Sequence, residues 1–242
     1  MNNNSFAFLF YYQIKQSKMN IFKNTSNSLP NELYELAENC KSEEQFDKFV
    51  DVFYKNFERS VNNINKKKNR YTLLSIACQN NTEYGVKLAK LLLENGANPN
   101  IYAEYGCFPI FLVIIENKTK YTPEMLKLLL DNGANPHKIH DGYSNTGEDR
   151  ILCDVLRRNK TQYVAEIVSI LIDHGININL SKRNGFSALH YLFEYQNEYL
   201  EDIINVILDK EIKLDTYSNV FELIRKKNKK IAKLESQKYS LI

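Results

Sequence analysis

The chain has 242 residues, 43% apolar and 25% charged, with a formal net charge of +3. These values fit a soluble protein with room for a large or elongated core, and they exclude the strongly basic balance of a general nucleic-acid binder. Four scattered cysteines, Cys40, Cys78, Cys107 and Cys153, include no CxxC pair. Their spacing argues against a zinc or dithiol redox site and fits reduced, buried thiols in an intracellular, cytoplasmic setting, of the organism or of a host cell.

Residues 1–29 contain one apolar run, FAFLFYY at 6–12. It is far short of the ~20 residues a bilayer span needs, and it lacks the charged leader and cleavage site of a secretory signal. A second methionine, Met19, opens a more ordinary start, so this segment is expected to be disordered or part of an over-extended gene start.

Residues 30–65 read as a helical capping unit. Pro30 opens a helix from Asn31 to about Cys40, with Leu33, Leu36 and Ala37 on one side. Ser42 and Gln45 form an S-x-x-Q capping pattern ahead of a second helix, whose stripe is Phe46, Phe49, Val50, Phe53 and Phe57.

Residues 66–217 repeat. LLLENGANPN, starting at Leu91, returns as LLLDNGANPH, starting at Leu128. Aligned on Gly96, Gly133, Gly175 and Glu211, the units step by 37, 42 and 36 residues. Three, four, seven and eight places before each of these columns, every residue is apolar, from Leu88, Ala89, Leu92 and Leu93 to Ile203, Ile204, Ile207 and Leu208. Those offsets make one helical face. The glycines suit the left-handed residue that ends many helices, and Glu211 in that place predicts a strained or reshaped turn. Thr122-Pro123-Glu124 marks the start of one such helix, with threonine expected as its cap. A second block precedes each stripe: TLLSIA (72–77), FPIFLV (108–113), RILCDV (150–155) and SALHYL (187–192). Two motifs on one period define a repeated pair of helices. The linking loops share N-x-T-x-Y from Asn80, Asn117 and Asn159, with the threonine expected to start the second helix and the tyrosine to cover it.

These blocks resemble the ankyrin repeat, whose first helix opens T-P-L-H-x-A and whose second ends near G-A-D-x-N. Gly185-Phe186-Ser187-Ala188-Leu189-His190 is the best single match, Gly106 and Pro109 keep the glycine and the proline, and Asn98-Pro99-Asn100, Asn135-Pro136-His137 and Asn177-Ile178-Asn179 fill the tail. The family period is ~33 residues, so the longer units imply extended surface loops, the largest at 137–150. The resemblance implies an all-α solenoid of stacked helix-turn-helix repeats joined by hairpin-like turns, in units of about 66–101, 102–143, 144–180 and 181–217. It also implies a structural, hydrogen-bonding role for His190, and protein recognition on the concave surface of turns and first helices.

Residues 218–242 read as a C-terminal capping helix with a basic face, Arg225, Lys226, Lys227, Lys229, Lys230 and Lys233. A solvated capping helix explains that face, and the alternative is binding of nucleic acid or an anionic membrane.

No catalytic motif is present: there is no glycine-rich phosphate loop, GxSxG or HExxH. His137 and His140 form an HxxH in a loop without a further fixed ligand, which is too little for a metal site. The expectation is a non-enzymatic monomer without cofactor or metal, binding an unknown protein partner. Its binding residues are expected on the turns: Tyr102, Glu104, Tyr105, Lys182 and Arg183, with Lys66, Lys67 and Arg70 as an electrostatic flank.

Overall fold

The computed structural model describes residues 29–116, 118–137, 150–178, 188, 192 and 198–210. Ten α-helices lie within them: α1 (Asn31–Glu38), α2 (Glu43–Lys55), α3 (Phe57–Asn63), α4 (Leu73–Gln79), α5 (Glu83–Glu94), α6 (Pro109–Glu116), α7 (Thr122–Asp131), α8 (Arg150–Arg158), α9 (Val164–Asp173) and α10 (Leu200–Asp209). Among the described residues the only extended pairing is an isolated bridge between Lys68 and Tyr71.

The helices stack in two rows. α1, α4, α6 and α8 follow one another in the first row, and α2, α5, α7, α9 and α10 in the second. The short α3 packs on α2 alone and α10 on α9; the other helices pack on their pair partner and on the matching helix of the next layer, and among the described residues none packs broadly against a helix two layers away. Burial follows the repeating columns. Leu88, Ala89, Leu92 and Leu93 are buried in α5, Met125, Leu126, Leu129 and Leu130 in α7, Ile167, Val168 and Leu171 in α9, and Ile203, Ile204 and Ile207 in α10. Truncating one such leucine removes about 2–5 kcal/mol, against about 1 kcal/mol for a polar contact, so the packing of layer on layer contributes most to holding the array together.

The second-row helices end alike. Ala97 N–H reaches the Leu92 carbonyl at 2.9 Å and Gly96 N–H the Leu93 carbonyl at 3.1 Å; Ala134 and Gly133 repeat this on Leu129 and Leu130, and Ile176 and Gly175 on Leu171 and Ile172. Gly96, Gly133 and Gly175 take φ of 89°, 84° and 85°, the left-handed residue of this ending. Asparagines then clasp one layer to the next. Asn65 Nδ2–H donates to the Gly96 carbonyl at 3.2 Å while its Oδ1 accepts from Asn98 N–H at 2.7 Å. Asn100 does the same to the Gly133 carbonyl and Asn135 N–H, both at 2.8 Å.

Four local expectations are corrected. Phe57 does not continue the second capping helix: α2 stops at Lys55, Asn56 turns its amide back onto the Val52 carbonyl at 2.9 Å, and Phe57 begins α3. Gln45 does not close a box on Ser42. Ser42 Oγ accepts Gln45 N–H at 3.3 Å, but Gln45 Oε1 reaches one residue further, to Lys41 N–H at 2.8 Å. Thr122 is the first helical residue of α7 and not its cap, its Oγ1 accepting Thr119 N–H at 3.1 Å. In the N-x-T-x-Y loops Thr82 does hold the N-cap position of α5, but its side chain makes no cap bond there and the asparagine is the organiser. Asn80 Oδ1 accepts both the N–H (3.1 Å) and hydroxyl (2.7 Å) of Thr82, and Asn159 treats Thr161 identically. Asn80 Nδ2–H also ties this loop to the Cys40 carbonyl in the capping unit at 2.6 Å. The tyrosines of these loops, Tyr84, Tyr121 and Tyr163, pack half-buried against the core as expected. Glu211, the N-terminal run, Met19 and His190 lie outside the described residues.

Cys40, Cys78 and Cys153 are buried and Cys107 is half-buried. Burial, reinforced by the Glu43 carboxylate and only partly offset by Lys87, pushes the Cys40 thiol up to about 11, and burial pushes Cys78 higher still. Thiols held neutral in this way are inert packing groups.

Candidate protein-interaction surface

Each pair of helices in the first two repeat layers is entered through a tight finger. In the first, Lys68 N–H meets the Tyr71 carbonyl at 2.9 Å and Tyr71 N–H meets the Lys68 carbonyl at 3.0 Å. The two residues between them, Asn69 and Arg70, have φ of 50° and 72°, the two-residue reverse turn of a β-hairpin. Thirty-six positions on, Cys107 N–H meets the Glu104 carbonyl at 3.2 Å, with Tyr105 and Gly106 at φ of 56° and 73°. The second finger repeats the turn of the first but not its flank, since the Cys107 carbonyl accepts Ala103 N–H at 2.7 Å in place of Glu104 N–H.

After the first finger, Thr72 starts α4 with a reciprocal cap: its Oγ1 accepts Ser75 N–H at 3.1 Å and its N–H donates to Ser75 Oγ at 2.8 Å. The T-x-x-S spelling of 72–75 carried that signal. The start of the finger is anchored from the capping unit, where the buried Tyr34 donates its hydroxyl to the Lys66 carbonyl at 2.7 Å. Burial raises that phenol to about 12, so it stays a donor throughout the neutral range. Lys68 leans back on Glu35 at 3.5 Å.

Side chains cross between the fingers. Glu104 Oε1 accepts from the Arg70 guanidinium at 3.3 Å and its Oε2 from the Tyr71 hydroxyl at 3.0 Å. The Lys67 ammonium sits 3.6 Å from the centre of the Tyr102 ring, which meets Phe108 edge-on with ring centres 6.1 Å apart. These contacts bring Lys67 to Tyr102 and Arg70 to Glu104 across two layers, and Lys66 and Tyr105 are exposed beside them in the chain. Beside it runs a cleft of about 480 Å³, from Tyr71 past Ile76 and Gln79 to the Asn80–Thr82 loop, with Glu38 and Lys41 on its far wall. Lys182, Arg183, His140 and the basic run Arg225, Lys226, Lys227, Lys229, Lys230 lie outside the described residues.

Sequence reasoning missed the strain at Arg70 and Tyr105. The 36-residue offset between the fingers held the clue, since it sets Arg70 beside Gly106 and Tyr105 beside Asn69. Among the described residues no cluster of His, Cys, Asp or Glu could hold a metal, and no helix is long and apolar enough to cross a membrane.

Helix pairs that pack only on their neighbours, each joined to the next by a glycine-ended turn that runs on into a finger, define a helical repeat solenoid. The particular repeat follows from residues 69–103, which match the ankyrin repeat family model from the tip of the first finger to just before the second. That segment is an ankyrin repeat, and the all-α array built around it is ankyrin-type. Repeats of this family serve generally as protein-interaction scaffolds and are typically non-catalytic. Comparison with curated proteins finds no match.

Proposed function

We propose that the chain is a non-catalytic scaffold that binds a protein partner through the concave surface of its fingers and first-row helices. The observation that carries this reading is that the two large hydrophobic side chains left exposed among the described residues, Tyr102 (43%) and Tyr105 (75%), sit on one finger. Exposed tyrosines on a rigid turn lose little freedom on binding and are favoured anchors in interfaces. The stacked layers hold the fingers in place before the partner arrives, and an ordinary partner would cover about 800 Å² of that side. Lys182 and Arg183 would extend the same edge in a later unit. The chain is expected to act as a monomer in the cytoplasm.

A photo-crosslinking side chain at position 105, in cells that make the protein, is expected to trap a partner. The same group in place of Lys90, exposed on the second-row helix α5, is not. Equal trapping from both positions sinks the reading.

A further inference from the structure

We propose that the two finger tips bind an acidic linear peptide segment that also carries an apolar side chain. The inference rests on the protein-scaffold reading and adds the chemistry of the partner.

The first observation is where the backbone is strained. The two fingers are the same turn, and its two central positions both need positive φ. An L side chain there crowds its own carbonyl, and glycine or asparagine relieves the problem. The first finger has Asn69 at the first position and the second has Gly106 at the second, so each is half suited to its turn. The other half is filled by Arg70 and Tyr105. Neither recovers the strain by burial, because the Arg70 side chain is 72% exposed and Tyr105 is 75% exposed. Strain retained at an exposed tip points to a use for the side chain.

The second observation is charge. Lys66, Lys67 and Arg70 are exposed on one edge, and Glu104 is the single acid of the second finger. Glu104 bonds one side of the Arg70 guanidinium and is itself held by Tyr71, which orients the arginine and leaves further N–H groups outward. The Lys67 ammonium lies on a ring, and among the described residues no carboxylate is within ion-pair distance of it. A cation held over an exposed aromatic face is a ready carboxylate site with an apolar surface beside it. The terminal segments of the chain do not complement it: residues 1–28 hold Lys15, Lys18 and Lys23 and no acid, and residues 218–242 are basic.

The third observation separates peptide from nucleic acid. Affinity for a phosphate backbone grows with the number of cations free to neutralise phosphates. Here Glu35 and Glu104 already pair with Lys68 and Arg70, and a carboxylate sits in the middle of the patch. What remains is two anion anchors, two tyrosine faces and the cleft past Ile76 and Gln79, which suits a chain with spaced acids and one apolar residue.

The test is panning of a random peptide library on the full chain, followed by affinity measurement with one selected synthetic peptide and with an oligothymidylate of equal charge. Selected peptides are expected to be net acidic with an aliphatic or aromatic residue, and to bind more tightly than the oligothymidylate. Lys67→Glu is expected to weaken the peptide about tenfold. Arg70→Gly should do likewise while leaving the fold intact, because glycine suits that turn. Selection of basic or uncharged peptides whose binding still falls in Tyr105→Ala overturns the acidic chemistry and leaves the scaffold reading standing. Tighter oligothymidylate binding overturns it in favour of nucleic acid. No selected sequence, together with equal trapping from positions 105 and 90, overturns both.

Discussion

The backbone turns left-handed twice in the connection between layers, first where the second-row helix ends and then at the finger, and these two edges of the connection treat the requirement differently. Where the second-row helices end, Gly96, Gly133 and Gly175 meet it with the residue that meets it without strain, and an added Cβ at any of them would find no atom within 4 Å. At the fingers the same region of conformation is occupied by Asn69, Arg70, Tyr105 and Gly106, and two of these four are poorly suited to it. The helix-end positions look after the layers; the finger positions give up some stability to hold a guanidinium and a phenol out in solvent.

The largest expected effect comes from the helix-end edge. With open space around its missing Cβ, Gly133→Ala should lose stability only through backbone strain, about 1–2 kcal/mol. Urea unfolding is expected to show that loss, with the affinity for a selected peptide unchanged. A neutral effect on stability would mean that the left-handed turn is not a requirement of the helix end.

The opposite sign is expected at the finger. Arg70→Gly removes strain but also removes an exposed ion pair to Glu104 and adds freedom to the unfolded chain. The balance is neutral to stabilising by about 0.5 kcal/mol, read as an unchanged or raised urea midpoint. Stability and binding should then move apart at position 70, whereas at position 133 stability moves alone. A clear loss of stability in Arg70→Gly would show that the arginine serves the fold, and the contrast between the edges would disappear.

The helix-end edge was the more legible of the two. Its stripes recur at 3.6-residue spacing on a common period, and glycine is a strong mark because few residues replace it. The exposed tyrosines at 102 and 105 and the lysines before Arg70 were also readable, since they fall in the turn columns. The finger geometry was not, because Asn-Arg and Tyr-Gly share no side-chain chemistry and match only in φ. The break at Asn56 was hidden for a related reason: the aromatic stripe keeps helical spacing through Phe57, and only the competing Asn56 amide bond ends the helix. The crossing of Glu104 to Arg70 and Tyr71 needed the stacking of two layers, which no local pattern encodes.

The smallest effect should come from charge at the helix-end edge. Asp131, the last residue of α7, meets Lys127 of its own helix at 2.8 Å and His174 of the next layer at 3.1 Å. Lys127 first, then His174, hold its carboxyl below the usual range. A carboxylate with a lowered folded pKa contributes stability that is present above its unfolded pKa and is lost as pH falls through the folded one. Asp131→Asn should therefore be slightly less stable than wild type at neutral pH, and urea midpoints of the two should converge as pH falls below the ordinary carboxylate range. Because the group is in open solvent, the gap should also shrink as salt is raised. A gap that survives both acid and salt would mean that Asp131 links the layers by hydrogen-bond geometry and not by charge. The helix-end edge would then hold a specific side-chain lock of its own, beyond the glycines and the asparagine clasps.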